Sequence, residues 1–271
     1  MGCRMDRSQA WSTRIKLEAS MHEESSFLTL TFNDENLPAD GGVHVRDLQL
    51  FMKRLRKAIA PKKVRYYACG EYGDNFGRPH YHMVLFGFGF PDKTIWRKSP
   101  TGHELYRSAL LESLWPYGNC EIGTVTAQSG AYVARYVLKK VGGAPADDHY
   151  TRPHPVTGEM HRVSPEFALM SSRPGIAGDW FDKFEGDVFP SDFLVIDARK
   201  VPVPKYFSEK LKGRNLDASR LREIDDLTPI RDIRRIESRT PQRVENRTKE
   251  RLAIREEIQA ARMKRLKRDV E

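Results

Sequence analysis

Apolar and polar positions along the chain alternate in a few short runs and recur at helical spacing in others. Residues 27–32 read as a first core strand. Residues 64–73 and 80–88 are two further strand-like runs, the second rich in aromatic and β-branched residues, opened by Pro79 and closed by Gly87 and Gly89. The turn-rich link Asp74-Asn75-Phe76-Gly77 joins them, so an antiparallel hairpin is predicted. Residues 121–126 supply another strand. Between these runs, residues 45–58 place Leu48, Phe51, Met52 and Leu55 at helical spacing, with Lys53, Arg54, Arg56 and Lys57 on the outer side and Pro61 as the stop. Residues 88–102, with Pro91 and Pro100, are expected to be a loop-like insertion, and residues 103–115 a helix carrying Leu105, Leu110, Leu111 and Leu114. Residues 129–143 predict one more helix, capped by Ser129 and stopped by Gly142 and Gly143. The expected fold is α+β: a central antiparallel sheet of about five strands, with helices packed on one face and the other face open.

Regional composition divides the chain further. Residues 1–26 form a polar N-terminal extension with a helical look over residues 9–18. Residues 27–143 hold the core. Residues 144–204 are rich in Pro and Gly yet carry Trp180, Phe181, Phe184, Phe189 and Phe193, and are expected to form an irregular but ordered wrap. Residues 205–271 are a charged tail, helical or partly disordered, with 20 Lys and Arg against 13 Asp and Glu, which accounts for +7 of the net charge of +9. A polyanionic partner is expected from that balance. Cys3, Cys69 and Cys120 are too few and scattered for a disulfide framework, no run approaches the length of a membrane span, and the N-terminus has no signal-peptide core. A soluble protein of a reducing cytoplasm is the expectation.

Three groups of residues carry candidate chemistry. His80 and His82 occupy alternate positions of one predicted strand and so share a face, opposite to Tyr81 and Met83. The hairpin brings Glu71 beside them. Two imidazoles and one carboxylate suit Mg or Mn with open coordination positions, whereas an ordinary hydrogen-bonded pair of histidines and a solvated Glu71 would need no metal. Tyr132 and Tyr136 lie one helical turn apart on one face, next to Arg135, Lys139 and Lys140; they can also be boundary residues of an amphipathic helix. His149, His154 and His161 fit no ligand spacing.

Together these strings resemble one family. Glu71-Tyr72-Gly73 ahead of Arg78-Pro79-His80-Tyr81-His82, followed by Tyr132-Val133-Ala134-Arg135-Tyr136-Val137-Leu138-Lys139-Lys140, is similar to the HUH endonucleases of rolling-circle replication. Within them the likeness is to the replication initiators of the Microviridae, small single-stranded DNA phages, and residues 27–38 look like their opening strand and loop. The resemblance covers about residues 1–180. It implies an HUH-like fold with metal and DNA on the open sheet face, Glu71, His80 and His82 as metal ligands, and Tyr132 and Tyr136 as nucleophiles forming a 5′-phosphotyrosyl intermediate and a free 3′-hydroxyl. Arg78, Arg135, Lys139 and Lys140 would hold flanking phosphates. The implied partners are single-stranded DNA at a replication origin and the host polymerase and helicase, in the host bacterial cytoplasm. An HUH transposase or relaxase is an alternative. So is a non-enzymatic single-strand binder, in which Tyr66, Tyr67, Tyr72 and Tyr81 would stack bases.

Overall fold

In a computed structural model of the chain, the structure describes residues 2–73, 77–100, 102–126, 130, 132–134, 140–154, 156–189, 191–213 and 248–265. It is α+β. A seven-stranded sheet runs in the order β4-β5-β6-β1-β3-β2-β9. Its strands are β1 (Ser25–Thr31), β2 (Arg65–Tyr72), β3 (Pro79–Phe86), β4 (Thr94–Lys98), β5 (Glu104–Arg107), β6 (Cys120–Thr124) and β9 (Phe167–Met170), and every pairing is antiparallel. Two hairpins stand apart from it, β7–β8 (Thr151–Pro153, Met160–Arg162) and β10–β11 (Phe193–Ile196, Arg199–Pro202). Two of the extra sheet strands overturn local expectations. Residues 88–102 contain β4, and residues 103–115 are split into β5 and the short helix α3 (Ala109–Leu114), begun where the Ser108 hydroxyl accepts the Leu111 N–H. Leu105 had matched a helical stripe, but its strand neighbours decide its state; it is buried as a member of β5.

Each sheet face has its own core. Helix α2 (Val45–Ala58) lays Leu48, Phe51, Met52 and Leu55 on Leu28, Leu30, Ala68, Met83 and Leu85. At roughly 1.5–3 kcal/mol for each such side chain removed from water, this stripe is enough to fix the helix to the sheet. Lys53, Arg56 and Lys57 remain exposed, as the amphipathic pattern requires, whereas Arg54 is half-buried and donates to the Leu114 carbonyl at 2.9 Å. The opposite face is not open, contrary to expectation. Helix α1 (Gly2–Ala19) and residues 132–134 cover much of it, burying Ile15, Tyr132, Val133 and Ala134 against Phe27, Tyr67, Val84 and Phe86. Glu18, almost fully buried, pins α1 in place: Arg65 Nε donates to one carboxylate oxygen at 2.5 Å and the Ala177 N–H to the other at 2.5 Å. Burial pushes the Glu18 carboxyl up, but His22, the Ala177 N–H and Arg65 outweigh it and hold the group below the usual carboxylate range.

The described residues form two compact units, Gly2–Trp180 and those from Phe181 to Arg265. The first holds the seven-stranded sheet, including β9 from within the stretch expected to be irregular. The second contains β10–β11 and the helices Lys205–Lys212 and Lys249–Arg265. Phe181 stacks on Phe207 at 4.9 Å and meets Phe189 edge-on at 6.1 Å within it. A boundary drawn at residue 204 from charge alone therefore runs through this aromatic cluster. Among the described residues, no helix is long and apolar enough to cross a membrane.

Candidate metal centre and cleft

The register of β2 against β3 builds the site. Glu71 lies directly across from His80, and Cys69 across from His82, so the Glu71 carboxylate sits between the two imidazoles on one face. Its Oε1 is 2.7 Å from His80 Nε2 and 3.1 Å from His82 Nε2. These ligand atoms lie within 4.8 Å of one another, and among the described residues no other His, Cys, Asp and Glu side chains converge in this way. The site is also more buried than a half-exposed strand pair: Glu71 is 0 % and His82 1 % exposed. Burial pushes the Glu71 carboxyl up, yet the hydrogen bonds from His80 and His82 pull it down further, to about 2.

The outer ring nitrogens are tied as well. His80 Nδ1 lies 3.1 Å from the Arg78 carbonyl oxygen, which can only accept, so that nitrogen carries a proton. His82 Nδ1 is 3.2 Å from the Thr29 hydroxyl, placed there because Thr29 faces His82 across the β1–β3 ladder. Outer partners of this kind fix imidazole orientation at metal centres. The donor set, two imidazole nitrogens and a carboxylate, could hold a divalent metal ion.

A cleft of about 290 Å³ opens onto the histidines, lined by Thr29, Thr31, His80, His82, Arg97, Asn119 and Glu121. Arg97 and Glu121 pair across it in bidentate fashion, at 2.8 and 3.1 Å. Tyr132, 3 % exposed and outside the cleft lining, packs against the same centre. Its ring meets that of His82 edge-on at 5.1 Å and that of Phe27 at 6.1 Å. Residues 25–141 match the family of replication-associated protein ORF2/G2P.

The matched segment thus spans β1 to β6, the Glu71–His80–His82 centre and Tyr132. Relatives extend the likeness beyond it. The chain is 30 % identical over 218 residues to replication-associated protein VP4 of Bdellovibrio phage phiMH2K, a match covering 78 % of this chain and 65 % of that protein. It is 30 % identical over 226 residues to replication-associated protein ORF2 of Spiroplasma virus 4 (78 % and 66 %), and 28 % identical over 219 residues to replication-associated protein ORF4 of Chlamydia phage 1 (78 % and 51 %). The chain therefore spans just under two thirds of the first two relatives and about half of the third. No solved structure matches it.

The other expected site residues fare differently. Arg78 is half-exposed but already engaged, donating to Asp34 at 2.6 Å and to the Phe32 carbonyl at 3.1 Å. Lys140 is exposed. Tyr136, Arg135 and Lys139 lie outside the described residues. Thr29, Arg97 and Glu121 were missed from sequence. Thr29 had a usable signal, since Phe27, Thr29 and Thr31 alternate toward one face of β1; Arg97 had none, because its strand was not expected.

Proposed function

We propose that the protein is a replication initiator that nicks single-stranded origin DNA by transesterification. The observation that carries this reading is the Tyr132 ring set 5.1 Å from His82, beside a buried His–His–Glu donor set at the floor of a cleft. Glu71, His80 and His82 would hold the cation. A bound Mg or Mn ion supplies Lewis-acid polarisation of the scissile phosphodiester. The rest falls to the chain's own groups. Thr29 and the Arg78 carbonyl keep both imidazoles aimed inward, and the Phe27 and Tyr132 rings packed on His82 limit water on that side. The Tyr132 oxygen forms a bond to phosphorus as the bond from phosphorus to the 3′ oxygen breaks. The phenol proton passes to solvent, and the leaving oxygen takes one up to become a free 3′-hydroxyl. The 5′ end stays on the tyrosine, so the reverse step can later rejoin strands. Tyr136, four residues further in the sequence, would serve the second cleavage of a replication cycle, and Arg78, Arg135, Lys139 and Lys140 would hold flanking phosphates.

The replication-associated relatives favour this role over that of a transposase or relaxase. They also favour the host cytoplasm, with the host polymerase and helicase extending and unwinding from the nick. Of the four tyrosines a purely stacking single-strand binder would use, Tyr67 and Tyr81 are 0 % and Tyr72 4 % exposed, which leaves only the half-buried Tyr66 to meet a base. The deciding assay mixes the full chain with single-stranded oligonucleotides tiling its own genome, plus Mn or Mg, and looks for a covalent adduct on a denaturing gel. An adduct that disappears in the Tyr132→Phe, Tyr136→Phe double variant is expected. Adduct formation undiminished in that variant would overturn the reading.

A further inference from the structure

The hairpin β4–β5 is the outer edge of the sheet and an unusual one. Every residue of β4 is exposed, among them Ile95 at 63 % and Trp96 at 56 %. The register slips between Ile95 and Arg97, leaving Trp96 without a cross-strand partner. Such a bulge twists the strand and re-aims the side chain it carries. Cations frame the aromatic surface: the Arg107 guanidinium lies 5.0 Å from the Trp96 ring, and Lys93 Nζ 5.3 Å from the Tyr106 ring. Arg97, the next residue along, faces the cleft that contains His80 and His82. An edge strand with bare apolar residues invites pairing with another chain and is normally blunted. Here Lys93, Arg97, Lys98 and Arg107 outnumber Asp92 and Glu104 between residues 92 and 107. Two copies aligned along this edge would set like charges against one another, which disfavours self-pairing.

We infer that the β4–β5 hairpin is a docking platform for single-stranded DNA, on which Trp96 stacks a base adjoining the nucleotide held in the cleft. The inference rests on the reading of that cleft as a DNA-nicking site and names the surface that receives the flanking strand. Unpaired bases offer the ring a free π-face, whereas a duplex hides them, so the platform selects single strands. Lys98 beyond the ring supplies charge for a flanking phosphate, while Arg107, paired with Glu112 at 2.7 Å, backs the ring.

The test uses the full chain in EDTA, where no cleavage intrudes, and a fluorescein-labelled oligo(dT) read by anisotropy. Trp96→Ala should weaken binding about 5- to 150-fold, the range for one lost base stack, while Trp96→Phe keeps most of the affinity. The protein's own tryptophan emission should be quenched by unlabelled oligo(dT), but not by a duplex, and Trp96→Phe should remove that quenching. Thermal melts of both variants should match the parent, because the side chain is exposed. Unchanged affinity of Trp96→Ala overturns the inference, as does quenching that survives in Trp96→Phe. A concentration-dependent dimer that Trp96→Ala dissolves without altering oligonucleotide affinity would assign the edge to a second copy instead. Adducts formed in Mn with Trp96 irrelevant to binding would sink the platform and leave the nicking proposal standing; Trp96-dependent binding with no adduct from any genomic oligonucleotide would do the reverse.

Discussion

Replacing His82 by Ala probes both the burial and the chemistry of the centre. The imidazole is 1 % exposed, packs against Phe27 at 5.7 Å and Tyr132 at 5.1 Å, and bonds to Thr29 and Glu71. Its loss leaves a cavity in a close-packed layer and strips one donor from a carboxylate that is itself 0 % exposed. Large-to-small core changes cost about 2–5 kcal/mol, and a buried charged acceptor deprived of a donor costs more than a neutral one. A loss of about 3–4 kcal/mol is expected, which for a unit of this size lowers Tm by roughly 6–16 °C. A solvated histidine on a half-open strand would cost within about 0.5 kcal/mol. The assay is calorimetry of parent and variant in EDTA and again in excess MnCl2. The parent should gain about 2.7 kcal/mol at a metal concentration 100 times Kd, and the variant should gain far less. Two results refute the reasoning separately. A variant melting with the parent in EDTA would mean that His82 does not pack as described, and an equal Mn-induced rise in both would mean that the ion binds elsewhere.

Other outcomes follow from particular contacts. Tyr132→Phe removes only a hydroxyl, so its melt should match the parent while adduct formation on an origin oligonucleotide falls sharply; in the Tyr132→Phe, Tyr136→Phe pair it should vanish. Glu18, held below the ordinary carboxylate range, contributes stability that is complete above its unfolded pKa near 4.5 and is lost as pH falls through the lower folded value. Glu18→Gln should therefore flatten the fall in Tm below about pH 5, and a parent-like pH profile would count against the buried Arg65 pair. Truncation should come after Gly213 rather than earlier, because Phe207 and Leu211 are buried. Removing residues 214–271 takes away 17 Lys and Arg and 12 Asp and Glu, a net +5, and should flatten the salt dependence of binding to long DNA while sparing the nicking of short oligonucleotides. An unchanged salt slope would show that the tail does not touch phosphates.

Local pattern determined what depends on near neighbours in the chain. Period-two runs set β1, β2, β3 and β6, the helical stripe of residues 45–58 set α2 to the residue, and the short hairpin turn set which face His80 and His82 would share with Glu71. That is why the metal-competent triad was legible: all its members lie on two consecutive strands, where register alone brings them together. What depends on distant partners was not legible. β4, β5 and β9 are short, weakly patterned strands whose hydrogen bonds come from a sheet already formed, so tertiary pairing rather than propensity decides their state. The covering of the second face was hidden because α1 is polar over much of its length and is fixed by the buried contacts of Ile15 and Glu18. The burial of the centre followed from that cover. Only the fold could bring Tyr132, fifty residues from His82 in sequence, to 5.1 Å from its ring, since nothing in the spacing of the two residues specifies how the intervening strands return the chain.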